Sequence, residues 1–349
     1  MRLFIILLCL SLLCPIICAC AEEVKVPYVH PEAFEVPDNE AMALLSDMGV
    51  GWNLGNTFDA YQDSGVKNEL SMETIWCGVK TTREAIAAVR AAGYRTLRIP
   101  VSWHNHVTGE DFTISEAWLS RVQEVVDWGL AEGMYVILNI HHDDGEAWYY
   151  PSSQCYEASA HYLSCIWSQL AARFRDYDQH LIFECINEPR LKGHANEWYF
   201  DTGSAACRDA ANCINRLNQV FVDIVRASGG ANAYRYLMVP AYDASADCAT
   251  GSFFSLPTDS ADNRLIVSVH AYTPYSFALQ DGGESRFVLS AAKQTGEITS
   301  FMNRLYNHFI RNGIPVVIGE FGARDKQGNL QFRVNYASFY TAAARARNL

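Results

Sequence analysis

The stretch Leu181-Ile182-Phe183-Glu184-Cys185-Ile186-Asn187-Glu188-Pro189 is apolar on consecutive positions apart from Glu184 and turns polar at its end. A strand with one wet face alternates, whereas a continuous apolar run belongs to a parallel strand covered on both faces. The pattern recurs at 50–56, 95–101, 135–141, 235–241, 265–270 and 316–320, which with 181–187 makes seven candidate strands. Between them lies helical periodicity. It is clearest at 116–132, where Leu119, Val122, Val126 and Leu130 recur every three to four residues and Ser115 offers an N-cap. Segments 82–92, 157–177, 208–227, 296–312 and 331–346 read the same way. Strand-helix alternation at this density means a parallel α/β sheet. A doubly wound sheet would carry a Gly-rich turn after its first strand, but Gly49-Val50-Gly51 comes at or before that strand's start. The expected fold is therefore an α/β, (β/α)8 TIM barrel. With seven strands found where closure needs eight, the expectation is a barrel truncated before its eighth strand.

The ends read separately. Met1-Arg2, an apolar stretch from Leu3 to Cys18 and then Ala19-Cys20-Ala21 form a secretory signal with an A-x-A cleavage site, so 1–21 is expected to be removed and the mature chain to be secreted. Ile17-Cys18-Ala19-Cys20 weakly resembles a lipoprotein signal, the less favoured reading. A Pro-containing lead at 22–40 precedes one domain at 41–349, with no repeat or linker. No later apolar run is long enough for a bilayer, so no membrane association is expected after signal removal. The net charge of −12 leaves no basic stripe, which speaks against nucleic acid. Of eleven cysteines, seven remain after Cys9, Cys14, Cys18 and Cys20 leave with the signal. Export permits disulfides. Cys207–Cys213 is the expected bridge, Cys77, Cys155, Cys165 and Cys248 are further candidates, and Cys185, inside an apolar strand, is expected to be a buried free thiol.

Polar residues concentrate at the C-terminal strand ends, where such a barrel gathers its active site. These are Arg98, then His141-His142-Asp143, Asn187-Glu188, His270-Ala271-Tyr272, and Glu320. Two carboxylates at the mouths of the fourth and seventh strands suit a glycosidic bond held between them. One attacks the sugar carbon while the other protonates the leaving oxygen. Arg98 near Glu320 would favour its charged form, whereas burial and the charge of Glu320 would favour the protonated form of Glu188. Asn187 could donate to a sugar 2-hydroxyl, and His270 and Tyr272 could orient Glu320. The bland alternative makes these residues strand-end ion pairs. His141, His142 and Asp143 invite a metal reading, but adjacent strand side chains face opposite ways, so no metal or other cofactor is expected and His141 is favoured over His142 for direct sugar contact. Trp148, Tyr149, Tyr150, Trp198 and Tyr242 fall in loops, where an aromatic either stacks on a sugar or packs a satellite core. Trp103 reads as packing, and Asn56 is open between a sugar contact and a turn device. No G-x-S-x-G elbow supports an esterase or protease.

Five motifs taken together, Gly51-Trp52-Asn53-Leu54-Gly55-Asn56-Thr57, Leu97-Arg98-Ile99-Pro100-Val101-Ser102-Trp103, Asn139-Ile140-His141-His142-Asp143, Phe183 to Pro189, and Ile318-Gly319-Glu320-Phe321-Gly322, resemble glycoside hydrolase family 5, and most of all its subfamily 4. The resemblance implies a retaining mechanism, with Glu188 as acid/base and Glu320 as nucleophile. It also implies that Arg98, His141, His142, Asn187, His270 and Tyr272 line the cleaved sugar and that Asn56 touches a neighbouring subsite. The implied activity is an endo-β-1,4-glucanase (cellulase) acting on β-glucan; an endo-acting enzyme on a polymer has no evident need to oligomerise, so a monomer is expected. Xyloglucanase, xylanase or mannanase activity is the nearest alternative, and an inactive carbohydrate-binding barrel the alternative of another class. Members of the family carry an eighth strand with a tryptophan under the central sugar, which is not found by residue 349.

Overall fold

The computed structural model describes residues 23–63 and 68–349; the signal reading at 1–21 lies outside them. The main sheet has seven parallel strands, β1 (Gly51–Asn53), β2 (Thr96–Ile99), β3 (Tyr135–Asn139), β4 (Leu181–Glu184), β5 (Leu237–Ser245), β6 (Leu265–His270) and β7 (Val316–Glu320), neighbouring one another in chain order. That order is the expected barrel. Its ends approach each other, since Asn53 Nδ2 on β1 donates to Gly319 O on β7 at 2.9 Å, so the barrel is nearly closed.

Among the described residues seven longer helices surround or cap it: α1 (Glu40–Met48), α2 (Arg83–Ala91), α3 (Glu116–Ala131), α4 (Tyr156–Arg173), α5 (Ala205–Ala227), α6 (Ala292–His308) and α7 (Leu330–Arg345). β2 and β3 are buried along their whole length, because helices cover the outside and side chains fill the inside. Close helix–sheet approach is built into α3. A Cβ on Gly129 would meet Val136 Cγ2 at 2.8 Å and Leu97 Cδ2 at 3.1 Å, so only glycine lets the helix lie that near. Thr82 caps α2 by accepting from Ala85 N, but Ser115 does not cap α3 as expected; its hydroxyl donates to Glu69 Oε1 instead. Helix α1 was not anticipated. Its buried residues Ala41, Met42, Leu44, Leu45 and Met48 form one face, and Asn39 accepts from Met42 N at its start. The lead preceding it is tied down by Phe34 N to Ala346 O at 2.8 Å and by Tyr306 OH to Glu35 O at 2.7 Å.

The expected Cys207–Cys213 bridge is wrong. All seven cysteines among the described residues are free thiols. Cys207 and Cys213 both lie within α5, six residues apart, which at a rise of about 1.5 Å per residue puts their Cα atoms about 9 Å apart, beyond a disulfide's reach. Cys185 is the buried thiol expected of it, and burial pushes its pKa well up.

Candidate active site

Side chains inside the barrel near its C-terminal mouth are polar, and one buried cation organises them. Arg98, on β2, donates from Nε to Glu184 Oε2 at 2.8 Å, from Nη1 to Glu320 Oε1 at 2.8 Å and to Asn53 Oδ1 at 3.0 Å, and from Nη2 to Asn187 Oδ1 at 2.7 Å. A planar guanidinium is the side chain able to serve so many acceptors at once. Beneath it the carboxylate of Glu184 is fully buried and accepts further from Ser268 Oγ at 2.6 Å and Asn139 Nδ2 at 3.0 Å. Neither group is a stray charge: the Arg98–Glu184 pair forms a satisfied floor.

Above that floor stand the two glutamates. Glu320 takes Arg98 on Oε1 and the Tyr272 hydroxyl on Oε2 at 2.8 Å. Glu188 Oε1 lies 2.7 Å from His270 Nδ1, which is only 3.7 Å from Glu320 Oε2. The expectation that His270 would hold Glu320 is therefore corrected: its hydrogen bond is with Glu188, and Tyr272 is the partner of Glu320. One carboxylate oxygen from each glutamate and a ring nitrogen of His270 lie within 4.8 Å of one another. The His270 ring lies close over Gly319, where an added Cβ would stand 3.0 Å from Nε2.

The electrostatics are asymmetric. Burial alone would raise the pKa of Glu320, but the charges of His270 and Arg98 and the bond from Tyr272 overcome it and hold the carboxyl well below the usual range. The same burial would lower His270, and the charge of Glu320 and the hydrogen bond with Glu188 outweigh it, leaving its pKa raised. Tyr272 is raised, by burial first and then by the charge of Glu320, so its hydroxyl stays protonated as a donor.

His141 and His142 stand together, with ring centroids 4.4 Å apart, and with Asp59 they put three possible ligand atoms within 4.8 Å. The expectation that the pleat separates them fails because β3 ends at Asn139, before either residue. The trio is nonetheless engaged: Asp59 accepts from Thr57 N at 2.7 Å and Asn56 N at 3.0 Å, and the Asn139 amide is 3.1 Å from His141 Nδ1. Burial, then the neighbouring His142 and Arg98, push His141 well down, so it is neutral; with Nδ1 accepting, its proton sits on Nε2. Asn56 is an exposed residue at φ 58° whose backbone N–H goes to Asp59, so its backbone makes a turn while its side chain faces outward. Among the loop aromatics, Tyr149 and Tyr242 are buried packing residues, while Trp198 is 62% exposed. Trp103 is buried, as expected.

The sequence reading had not singled out Glu184, Asn53 or Asp59. For Glu184 a signal existed, because a carboxylate in the middle of an apolar strand needs a cationic partner.

The model of the cellulase family, glycosyl hydrolase family 5, matches residues 58–348. Endoglucanase B of Ruminococcus albus is 41% identical over 326 residues, 93% of this chain and 74% of that protein. Among solved structures, a family 5 lichenase from Caldicellulosiruptor sp. F32 is 52% identical with a TM-score of 0.92, covering 93% of this chain and 89% of that one. A broad specificity endoglucanase of subfamily 4 from Ruminococcus champanellensis, solved with bound cellotriose, is 41% identical with a TM-score of 0.82, covering 90% and 89%.

Proposed function

We propose, from the premise that the chain belongs to glycosyl hydrolase family 5, that this glycoside hydrolase is a secreted, monomeric endo-β-1,4-glucanase that cleaves β-glucan, mixed-linkage glucan included, with retention of configuration. The observation that carries the reading is the carboxylate pair, with an oxygen of each within 4.8 Å. That is the spacing of direct attack; an inverting enzyme keeps roughly 6.5–9.5 Å between its carboxyls to admit a water.

The roles follow from the partners. Glu320, held ionised by Arg98 and Tyr272, attacks the anomeric carbon as Glu188 delivers a proton to the departing oxygen, forming a glycosyl ester on Glu320. Glu188 then takes a proton from water, which opens the ester and regenerates both carboxyls. His270, hydrogen-bonded to Glu188, keeps it oriented. With its oxygen occupied by Arg98, Asn187 turns its amide NH2 to the sugar 2-hydroxyl, a bond that strengthens as positive charge develops on the ring. His141, through Nε2–H, and His142 contact the sugar on the β3 side. Export rests on the signal at 1–21, and a mature N-terminus at Glu22 is its check.

The deciding experiment follows the anomeric proton of the first product by NMR during hydrolysis of barley β-glucan or a cello-oligosaccharide, and pairs it with two variants. The β-anomer should appear first. Glu320→Gln should lose activity on every glycoside, while Glu188→Ala should still release a phenol from an activated aryl cellobioside, since a good leaving group needs little proton donation. Initial α-anomer, or equal losses for both variants on the aryl substrate, would sink the assignment.

A further inference from the structure

The connection from β6 to α6, residues 271–291, lies against the one from β7 to α7, residues 321–329. The strand ladder between them ends early, its last bond running from Ala271 N to Glu320 O at 2.9 Å. Tyr272, whose hydroxyl reaches Glu320 Oε2 at 2.8 Å, stands beyond that bond. Its ring lies alongside Gly322, where an added Cβ would find Tyr272 Cε1 4.0 Å away. Whether the hydroxyl meets the carboxylate therefore depends on how the two connections are held to each other.

Lys326 is the centre of that attachment. Its Nζ donates to Ser276 O at 2.6 Å, Phe277 O at 2.9 Å and Glu284 O at 3.3 Å. An ammonium has three N–H donors and no acceptor, so each is spent on a backbone carbonyl of the β6 connection. The Glu284 carboxylate does not compete, being turned to Gln294 Nε2 at 2.5 Å. The carbonyls converge because the chain doubles back at Gly283, where a Cβ would stand 2.2 Å from Ser276 O. Flanking ties run between the same two connections: Arg324 N donates to Ala278 O at 3.0 Å and Asn329 Nδ2 to Ser285 O at 2.8 Å, while Asn329 Oδ1 accepts from Lys326 N at 3.1 Å. Without the ammonium, three carbonyls would face one space with no donor, which costs free energy wherever water cannot take its place.

We propose that Lys326 is a positioning residue for the reaction, an internal cation that clamps the β6 connection to the β7 connection and so keeps the Tyr272 hydroxyl on Glu320. The inference rests on the nucleophile role given above to Glu320. Lys326 acts through Tyr272 and not on the carboxylate itself: the charged and titratable groups that face Glu320 are Arg98 from β2, His141 after β3, Glu188 after β4, and His270 and Tyr272 at the end of β6.

The test reads the acid limb of the kcat/KM profile on p-nitrophenyl β-cellobioside, which follows the ionisation of the nucleophile in the free enzyme. The bond from Tyr272 favours charged Glu320, so loosening it moves the limb to higher pH. Lys326→Ala should move it up by about one pH unit, as for loss of a hydrogen bond to a charged group, and lower kcat/KM at the optimum about tenfold. Ammonium or methylammonium at constant ionic strength should bring the limb back by filling the space among the three carbonyls, and tetramethylammonium, which has no N–H, should not. In a Tyr272→Phe background Lys326→Ala should shift the limb no further, since the contact it supports is already gone. Gly283→Ala presses on Ser276 O and leaves Lys326 in place; it should move the limb in the same direction, and it decides the matter where Lys326→Ala does not fold. A limb at the wild-type pH in both variants, even with lowered stability, or a shift of equal size with and without the Tyr272 hydroxyl, would overturn the clamp. Failure of the hydrolase reading looks different, since the wild-type protein would then turn over no glycoside.

Discussion

Replacing His106 with phenylalanine should make the protein resist acid. The His106 ring is 3% exposed and stacks on Trp118 with centroids 3.7 Å apart and planes at 8°, and neither of its nitrogens has a hydrogen-bond partner among the described residues. The nearest anion, Glu69 Oε2, lies 3.8 Å from Nδ1, outside hydrogen-bond distance. Burial, then the neighbouring His104, lower the His106 pKa from 6.5 to about 3. The sign follows from linkage. Below 6.5 the unfolded chain takes up a proton that the folded chain refuses, so stability is intact above 6.5 and is lost as pH falls towards 3. At about 1.4 kcal/mol per pKa unit, the loss reaches about 3 kcal/mol at pH 4. Phenylalanine keeps the stack and cannot titrate. Guanidinium denaturation of both proteins at pH 7 and pH 4, followed by tryptophan fluorescence, isolates the effect, because every other titrating group cancels in the difference. The variant should match the wild type to within about 1 kcal/mol at pH 7 and exceed it by about 3 kcal/mol at pH 4. If the two proteins lose stability in parallel between those pH values, His106 is not held neutral by burial and the reasoning fails.

Arg98→Lys should lower kcat/KM by about 10²-fold, because one ammonium cannot serve Glu184, Glu320, Asn187 and Asn53 together; steady-state kinetics decide it. Tyr272→Phe removes a bond that favours charged Glu320, so the acid limb of the kcat/KM profile should move to higher pH, and a limb that stays or moves down would contradict the role given to Tyr272. Gly319→Ala places a methyl 3.0 Å from His270 Nε2 and should cost about tenfold in activity by displacing that ring, with wild-type turnover as the refuting result. The mature protein, denatured without reductant, should titrate with a thiol reagent as seven free cysteines.

The barrel was legible because burial on both faces writes itself as an unbroken apolar run, and β6 and β7 begin and end where those runs do. β5 shows where that signal stops working. Read at 235–241, it in fact starts at Leu237 and continues to Ser245. Arg235, counted into the strand, instead lies below it with its guanidinium on the carbonyls of Phe174, Tyr177, Asp178 and Leu181. At the other end the register against β6 shifts between Pro240 and Ser245, with Asp243 and Ala244 both at positive φ. A change of register leaves no mark in hydrophobicity, so the positive-φ turn at Asp243 and Ala244 could not be found from the sequence. The cysteines fail for a related reason: short spacing suggests a loop, and a continuous helix keeps the same two residues apart.

Which residues gather at the mouth was readable, and who partners whom was not. His141, His142, Asn187, Glu188, His270, Tyr272 and Glu320 each follow or end a strand and Arg98 is the last residue but one of β2, and in a parallel barrel all strand ends of one sense meet at one rim. That rule assigns a layer but no neighbour, since it is silent on stagger between strands. β6 and β7 lose simple register at His270, which pairs with Glu320 only across an irregularity, and there the imidazole leans to Glu188 while Tyr272, two residues on, reaches Glu320. Which partner each of two chemically identical carboxyls receives thus goes with an offset of one residue in a ladder. Asn56 marks the limit from the other side. It sits in a rim motif, yet its backbone is turned at φ 58° to close a loop on Asp59, and the side chain that the turn leaves exposed is not among those that meet at Arg98.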